Sequence, residues 1–174
     1  SADTKGAKNV AIGQGALEAQ NFTSATDSYN TAVGHVAGLS ITTGVNNTFV
    51  GGLAGDANTT ADNNTAVGYS SLGANTTGAQ NTAVGQGAGE SNTTGVSLAA
   101  LGRQALEANT TGDNNVALGQ RALFSSTTAD NNTAVGNEAL KENTTGAQNV
   151  AVGAFALDAN TSASNNVAIG KDAY

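Results

Sequence analysis

The chain predicts an all-β fold, a parallel β-solenoid of ten stacked coils of about 17 residues each. Three observations carry that prediction: a fixed repeat, a period-two pattern inside it, and a composition too poor in large side chains for an ordinary core. The repeat is decisive, because self-similarity at a constant short period is the signature of stacked architectures. A pentapeptide Asn-Thr/Val-Ala-Val/Ile/Leu-Gly recurs with its glycine at Gly13, Gly34, Gly51, Gly68, Gly85, Gly102, Gly119, Gly136, Gly153 and Gly170. The first step is 21 residues and the other eight are 17. An insertion within a coil would break register with its neighbours, so the long first step is expected to bulge outward as a four-residue loop around residues 20–29.

Within the pentapeptide the residues alternate as they would on a short strand with two faces. Its second position is Val10, Thr31, Thr48, Thr65, Thr82, Ala99, Val116, Thr133, Val150 and Val167. The fourth is Ile12, Val33, Val50, Val67, Val84, Leu101, Leu118, Val135, Val152 and Ile169. These share one face, rich in β-branched side chains that suit a pleated surface, and the fourth position is assigned to the structural core. The third position, on the other face, is Ala in every copy but Phe49, which implies close approach of another layer of backbone. The glycine column is assigned to the turn that ends the strand, where φ > 0 is required or no side chain fits.

Three residues after each glycine comes Ala, or Ser71 in one copy, followed by Leu or Gly until Tyr174. This pair reads as a second, shorter wall. The recurring Asn-Thr-Thr-Gly has the chemistry of a turn, since Asn tolerates the left-handed conformation and bonds its own backbone. Turn signals arrive too often for a helix of ~10 residues. Coils stacked at ~4.8 Å make a rod of about 50 Å in which like residues sit above like. Asn64, Asn81, Asn115, Asn132, Asn149 and Asn166 are then expected to form a ladder along the axis, broken where Leu98 replaces Asn.

Composition bounds the rest. Aromatic residues are 4%, charged residues 11%, and Pro, Cys, Met and Trp are absent, so the usual thick core is not available. Net charge is −7 with six scattered basic residues, which gives no footprint for a phosphate backbone, and nucleic acid is not an expected partner. No apolar run approaches the ~20 residues of a membrane span. The polar lead-in, residues 1–8, lacks the apolar stretch of a signal peptide. Zero Cys fits either redox compartment.

No enzyme chemistry is expected. His35 is the single His and sits after a repeat glycine, where other copies carry Gln, Tyr, Asn or Ala. No carboxylate pair recurs at a fixed position on either wall, and Ser is too scattered for a nucleophile with a base. Asp62, Asp113 and Asp130 share one position and are read as solvated turn residues, because they lack the Gly-Gly-x-Gly-x-Asp pattern of calcium-binding rolls. No cofactor or metal is assigned. Glycosylation sequons such as Asn75-Thr76-Thr77 come with the repeat and carry little weight.

Asn165-Asn166-Val167-Ala168-Ile169-Gly170, Lys8-Asn9-Val10-Ala11-Ile12-Gly13 and Gln148-Asn149-Val150-Ala151-Val152-Gly153 resemble the Asn-Ser-Val-Ala-Ile-Gly motif of YadA-like head domains in trimeric autotransporter adhesins. The longer Asn-Thr-Thr-Gly-x-x-Asn-Thr-Ala-Val-Gly is also similar to repeats in phage tail fibres. The resemblance spans Asn9 to Tyr174 and implies a left-handed β-roll and a homotrimer. It further implies an extracellular fibre at a cell surface or on a virion, with a host surface, glycan or matrix protein as partner. The period of 17 departs from the slightly shorter coil of adhesin heads, and no stalk or anchor is present in this segment. Tyr174 falls mid-coil, which suggests a segment of a longer fibre or end-to-end stacking.

Burial points independently to self-association. One coil offers only two or three sizeable apolar side chains against a backbone ordering cost of ~1–2 kcal/mol per residue, and a second apolar face pressed on neighbouring copies would add burial. An alternative reading is binding to ice or another crystalline surface. It uses the file Thr42, Thr59, Thr76, Thr93, Thr110, Thr127, Thr144 and Thr161, with a neighbouring file from Thr43 to Ser162. Adjacent strand residues face opposite sides, so that pairing of files requires the segment to turn there.

Overall fold

A computed structural model describes residues 6–174. Residues 1–5 of the polar lead-in lie outside the described residues. The strands in chain order are β1 Gly6–Ala7, β2 Val10–Ile12, β3 Thr26–Asp27, β4 Thr31–Val33, β5 Thr48–Val50, β6 Thr65–Val67, β7 Thr82–Val84, β8 Ala99–Leu101, β9 Val116–Leu118, β10 Thr133–Val135, β11 Val150–Val152 and β12 Val167–Ile169. β2 and β4 to β12 form one ten-stranded parallel sheet in sequential order, each strand from one turn of the solenoid. The described residues contain no helix. Register is uniform: Thr65 pairs with Thr82, Ala66 with Ala83 and Val67 with Val84, so equivalent positions form columns along the rod.

The interior lies behind the third strand position. Ala32, Ala66, Ala117, Ala134 and Ala151 are fully buried, while Thr65, Val67 and their equivalents on the other strand face are half-buried or exposed. This corrects the assignment of the Val/Ile/Leu column to the core. Ile12 is 59% exposed, Val84 38%, Leu101 41% and Ile169 72%, and Val33, Val50, Val67, Leu118, Val135 and Val152 are half-buried on the same outer surface. The physical reason is thickness. The opposing wall approaches so closely that a methyl group fills the space behind the strand, and the branched side chains are left facing out.

The glycine turn holds as read. All ten of these glycines have φ between +126° and +143°. A Cβ on Gly68 would lie 2.6 Å from the carbonyl oxygen of Gly85 in the next coil. Both the dihedral and the stacking contact therefore exclude a side chain.

The second wall is not a strand. It is a run of turns in which the residues on either side of the buried Ala are left-handed: Gln104 has φ +59° and Leu106 +54°, Arg121 +56° and Leu123 +51°. Each coil still bonds its neighbour there, for example Leu72 N–H to Ala88 O at 3.0 Å and Ala74 N–H to Glu90 O at 2.9 Å. A left-handed non-glycine residue costs roughly 1–2 kcal/mol. Full burial of a Leu side chain contributes roughly 1.5–3 kcal/mol, of the same order as that cost, and Leu72, Leu106, Leu123 and Leu140 are all fully buried.

The long first step is better ordered than a loose bulge. Asn21 N–H bonds Thr42 O as its equivalents do in later coils, and Asn46 N–H bonds Ser28 O, so the four extra residues fall between Asn21 and Ser28. There Phe22 is buried, β3 pairs in parallel with β1, and buried Gln20 donates to Ser28 Oγ at 2.9 Å. Lys8 is bonded to Asp27 at 2.7 Å and lies over the Tyr29 ring.

Candidate association surface

The outer face of the sheet is a continuous surface free of charge. It carries two files, the second and fourth strand positions, and no Asp, Glu, Lys or Arg occupies either in any of ten strands. Ten paired strands form it, and two columns inside the coil hold the strands in register. In the first column, Asn47 Oδ1 accepts the N–H of Asn64 at 2.9 Å while its Nδ2 donates to Ala61 O at 2.9 Å. Asn30, Asn64, Asn81, Asn132 and Asn149 repeat this arrangement. The expected Asn column thus exists, but it is a ladder of amide to backbone for most of its length. Leu98, buried in this column, has no side-chain amide to give, although its backbone N–H still donates to Asn81 Oδ1 at 2.9 Å.

The amide-to-amide ladder lies in a second column that sequence reasoning took for plain turn residues. Asn75 Nδ2 donates to Asn58 Oδ1 at 3.0 Å, Asn92 to Asn75 at 2.8 Å and Asn109 to Asn92 at 2.8 Å, all fully or almost fully buried. The signal was present as the recurrence of Asn ahead of Thr-Thr at Asn58, Asn75, Asn92, Asn109 and Asn143, which a solvated turn does not require. Burial of Asn75 also leaves no room for a glycan at that sequon.

The proposed Thr contact file is occupied otherwise. Each hydroxyl from Thr42 to Thr144 donates to the backbone carbonyl one coil on, as in Thr76 Oγ1 to Thr93 O at 3.0 Å and Thr93 Oγ1 to Thr110 O at 2.9 Å. Thr161 ends the file and is exposed. The adjacent file, Thr43, Thr60, Thr77, Thr94, Thr111, Thr128 and Thr145, is exposed throughout. The two files do diverge, as a turn at this point requires.

The acidic column is half-buried at Asp62 and Asp113 and exposed at Asp130, and it also bonds the stack. Asp62 Oδ1 accepts Val45 N–H, Asp113 Oδ1 accepts Val96 N–H and Asp130 Oδ1 accepts Asp113 N–H, each at 2.8 Å. Among the described residues no three His, Cys, Asp or Glu side chains come together in a way that would hold a metal ion. His35 is exposed.

Most of the charge gathers on the second wall. Arg121 lies 4.3 Å from the Phe124 ring centre and 3.5 Å from Glu138, which also meets Lys141 at 3.3 Å. Glu107 Oε2 is buried there without a hydrogen-bond partner. Burial, with the neighbouring Glu90 charge acting in the same direction, lifts the Glu107 carboxyl above its ordinary range. A raised carboxyl pKa favours the folded state most at low pH, and that contribution is lost as pH rises from the ordinary Glu value through the raised one. Glu107→Gln is therefore expected to raise the melting temperature at pH 7 and leave it nearly unchanged at pH 4. Equal effects at both pH values would contradict this.

Comparison with protein-family models, with curated proteins and with solved structures finds no match. The surface therefore has to be interpreted from its own chemistry.

Proposed function

We propose that the chain is a non-enzymatic structural and adhesive segment of an extracellular fibre, homotrimeric, with its sheet faces packed together about a common axis. One observation carries this reading: an uncharged, β-branched face that runs the whole length of the described solenoid. Its partner has to match an apolar file of the same length and the same coil-to-coil pitch. A second copy in the same register does so column for column, and closed cyclic packing buries the face without open-ended association. The Asn-Val-Ala-Ile-Gly spelling of the first and last repeats supports the left-handed, trimeric form of the roll. A rod of this kind presents three copies of its exposed files, so weak contacts to a host surface, glycan or matrix protein add through effective concentration.

The alternative of ice or crystal binding through the Thr42 to Thr161 file is less well supported, because seven of those hydroxyls already donate inside the stack. A thermal hysteresis measurement separates the two readings.

Leu101→Glu places a charge in the middle of the face, where burying it unpaired costs several kcal/mol. The expected result is a fall in sedimentation mass from trimer to monomer with the β-sheet circular dichroism retained, while Thr77→Glu on the exposed Thr file leaves the mass unchanged. An unchanged mass for Leu101→Glu would remove the face from the assembly.

A further inference from the structure

The amide ladder has one interior break whose chemistry is fully specified. Asn109 and Ser126 are both fully buried, one coil apart in the same column, and neither Asn109 Oδ1 nor Ser126 Oγ has a hydrogen-bond partner. The Asn109 amide cannot turn round to correct this. Its Nδ2 already donates to Asn92 Oδ1 at 2.8 Å and to Gly112 O at 3.1 Å, so Oδ1 must face the next coil. A third group nearby is also under-used. Where both columns hold Asn, the carbonyl three residues on accepts two amides: Ala61 O from Asn47 and Asn58, and Gly78 O from Asn64 and Asn75. Ala129 O, the equivalent after Ser126, accepts only Asn115, at 2.6 Å.

We infer that one water molecule is bound between Asn109 Oδ1 and Ser126 Oγ, taking over the hydrogen bonds of the missing amide nitrogen. That nitrogen would donate to Asn109 Oδ1 and Ala129 O, as Asn75 Nδ2 does to Asn58 Oδ1 and Gly78 O at 3.0 and 2.9 Å. Water has two hydrogens for the same two acceptors and a lone pair for the Ser126 hydroxyl. Three hydrogen bonds is the usual number for an internal water. Ser is shorter than Asn by two heavy atoms, comparable to the ~30 Å³ share of a water in the liquid. Asn109 Oδ1 and Ser126 Oγ, otherwise unsatisfied, would each cost ~1–3 kcal/mol, so a polar guest between them is favoured.

Two substitutions and one direct observation test this. With the water bound, Ser126→Ala removes one of its partners, and the melting temperature is expected to fall by about 2–4 °C. In a dry site the same change deletes an unsatisfied buried hydroxyl, and the melting temperature would rise. Ser126→Asn rebuilds the ladder and displaces the water, so it controls for folding and supplies the comparison for magnetic relaxation dispersion of water oxygen-17. The wild-type chain is expected to hold one more long-lived water than Ser126→Asn. Equal numbers in the two proteins, or a stabilising Ser126→Ala, would overturn the inference.

Discussion

Gly102→Val is expected to unfold the centre of the stack. At Gly102 φ is +135°, and an added Cβ would lie 2.5 Å from Gly119 O, 2.6 Å from Gly119 C and 3.0 Å from Gln120 N. All three atoms are backbone of the next coil, so no side-chain rotation relieves the contact. The coil must lift away and lose its ladder bonds, Gly119 N–H to Leu101 O at 2.8 Å among them. Strain at a forbidden dihedral costs about 1–3 kcal/mol alone, and with the lost bonds the total falls in the exceptional class above ~4 kcal/mol. Thermal unfolding followed by circular dichroism reads this directly. A variant that melts with the wild type would mean that the glycine column does not set the coil geometry.

Phe49→Ala is expected to cost about 3–5 kcal/mol, and the compensation built around it makes the cause testable. Phe49 is the one aromatic residue in the buried Ala column of the strands, and it is 1% exposed. The wall opposite carries Gly38 and Gly55, where Leu72, Leu106 and Leu123 stand in other coils. A Cβ on Gly55 would lie 2.6 Å from two ring carbons of Phe49, and one on Gly38 3.0 Å from a third. The ring thus fills the volume that two Leu side chains fill elsewhere. Gly55→Leu alone is expected to clash and destabilise. Combined with Phe49→Ala it recreates the Ala66 and Leu72 arrangement of the next coil, at a backbone angle Leu already adopts, φ +56° at Gly55 against +49° at Leu72. The double variant should recover at least half of the summed losses. Additive losses in the cycle would show that the two walls do not share this volume.

These examples show how far the fold was legible. Constant period, glycine column and strand alternation are properties of spacing, and spacing survives without coordinates. Which strand face looks inward was not legible, because Ala and Val are both apolar, and size alone favoured placing Val67 and its equivalents inside. The answer depends on the distance to the opposite wall, a tertiary quantity set by the fully buried Ala66 and by the left-handed run ending in Leu72. That run was hidden as well, since Leu seldom adopts φ > 0, and here it does so with its side chain fully buried at Leu72, Leu106, Leu123 and Leu140. Asn58, Asn75 and Asn92 were read as turn residues that bond their own backbone, and each does donate to the carbonyl three residues on, but only the stack shows their amides bonded to one another as well. Phe49 was visible as an exception, while its link to Gly38 and Gly55 required the cross-section. On the surface, the uncharged face was written in the sequence from the start, but its significance changed once it proved to be outside.

The central claim is that this outer sheet face is covered by identical copies. Sedimentation equilibrium of the wild-type chain across a concentration series tests it most directly. The account predicts a mass three times 16.9 kDa, held down to low concentration. A mass of 16.9 kDa at every concentration, with the β-sheet spectrum intact, would contradict it.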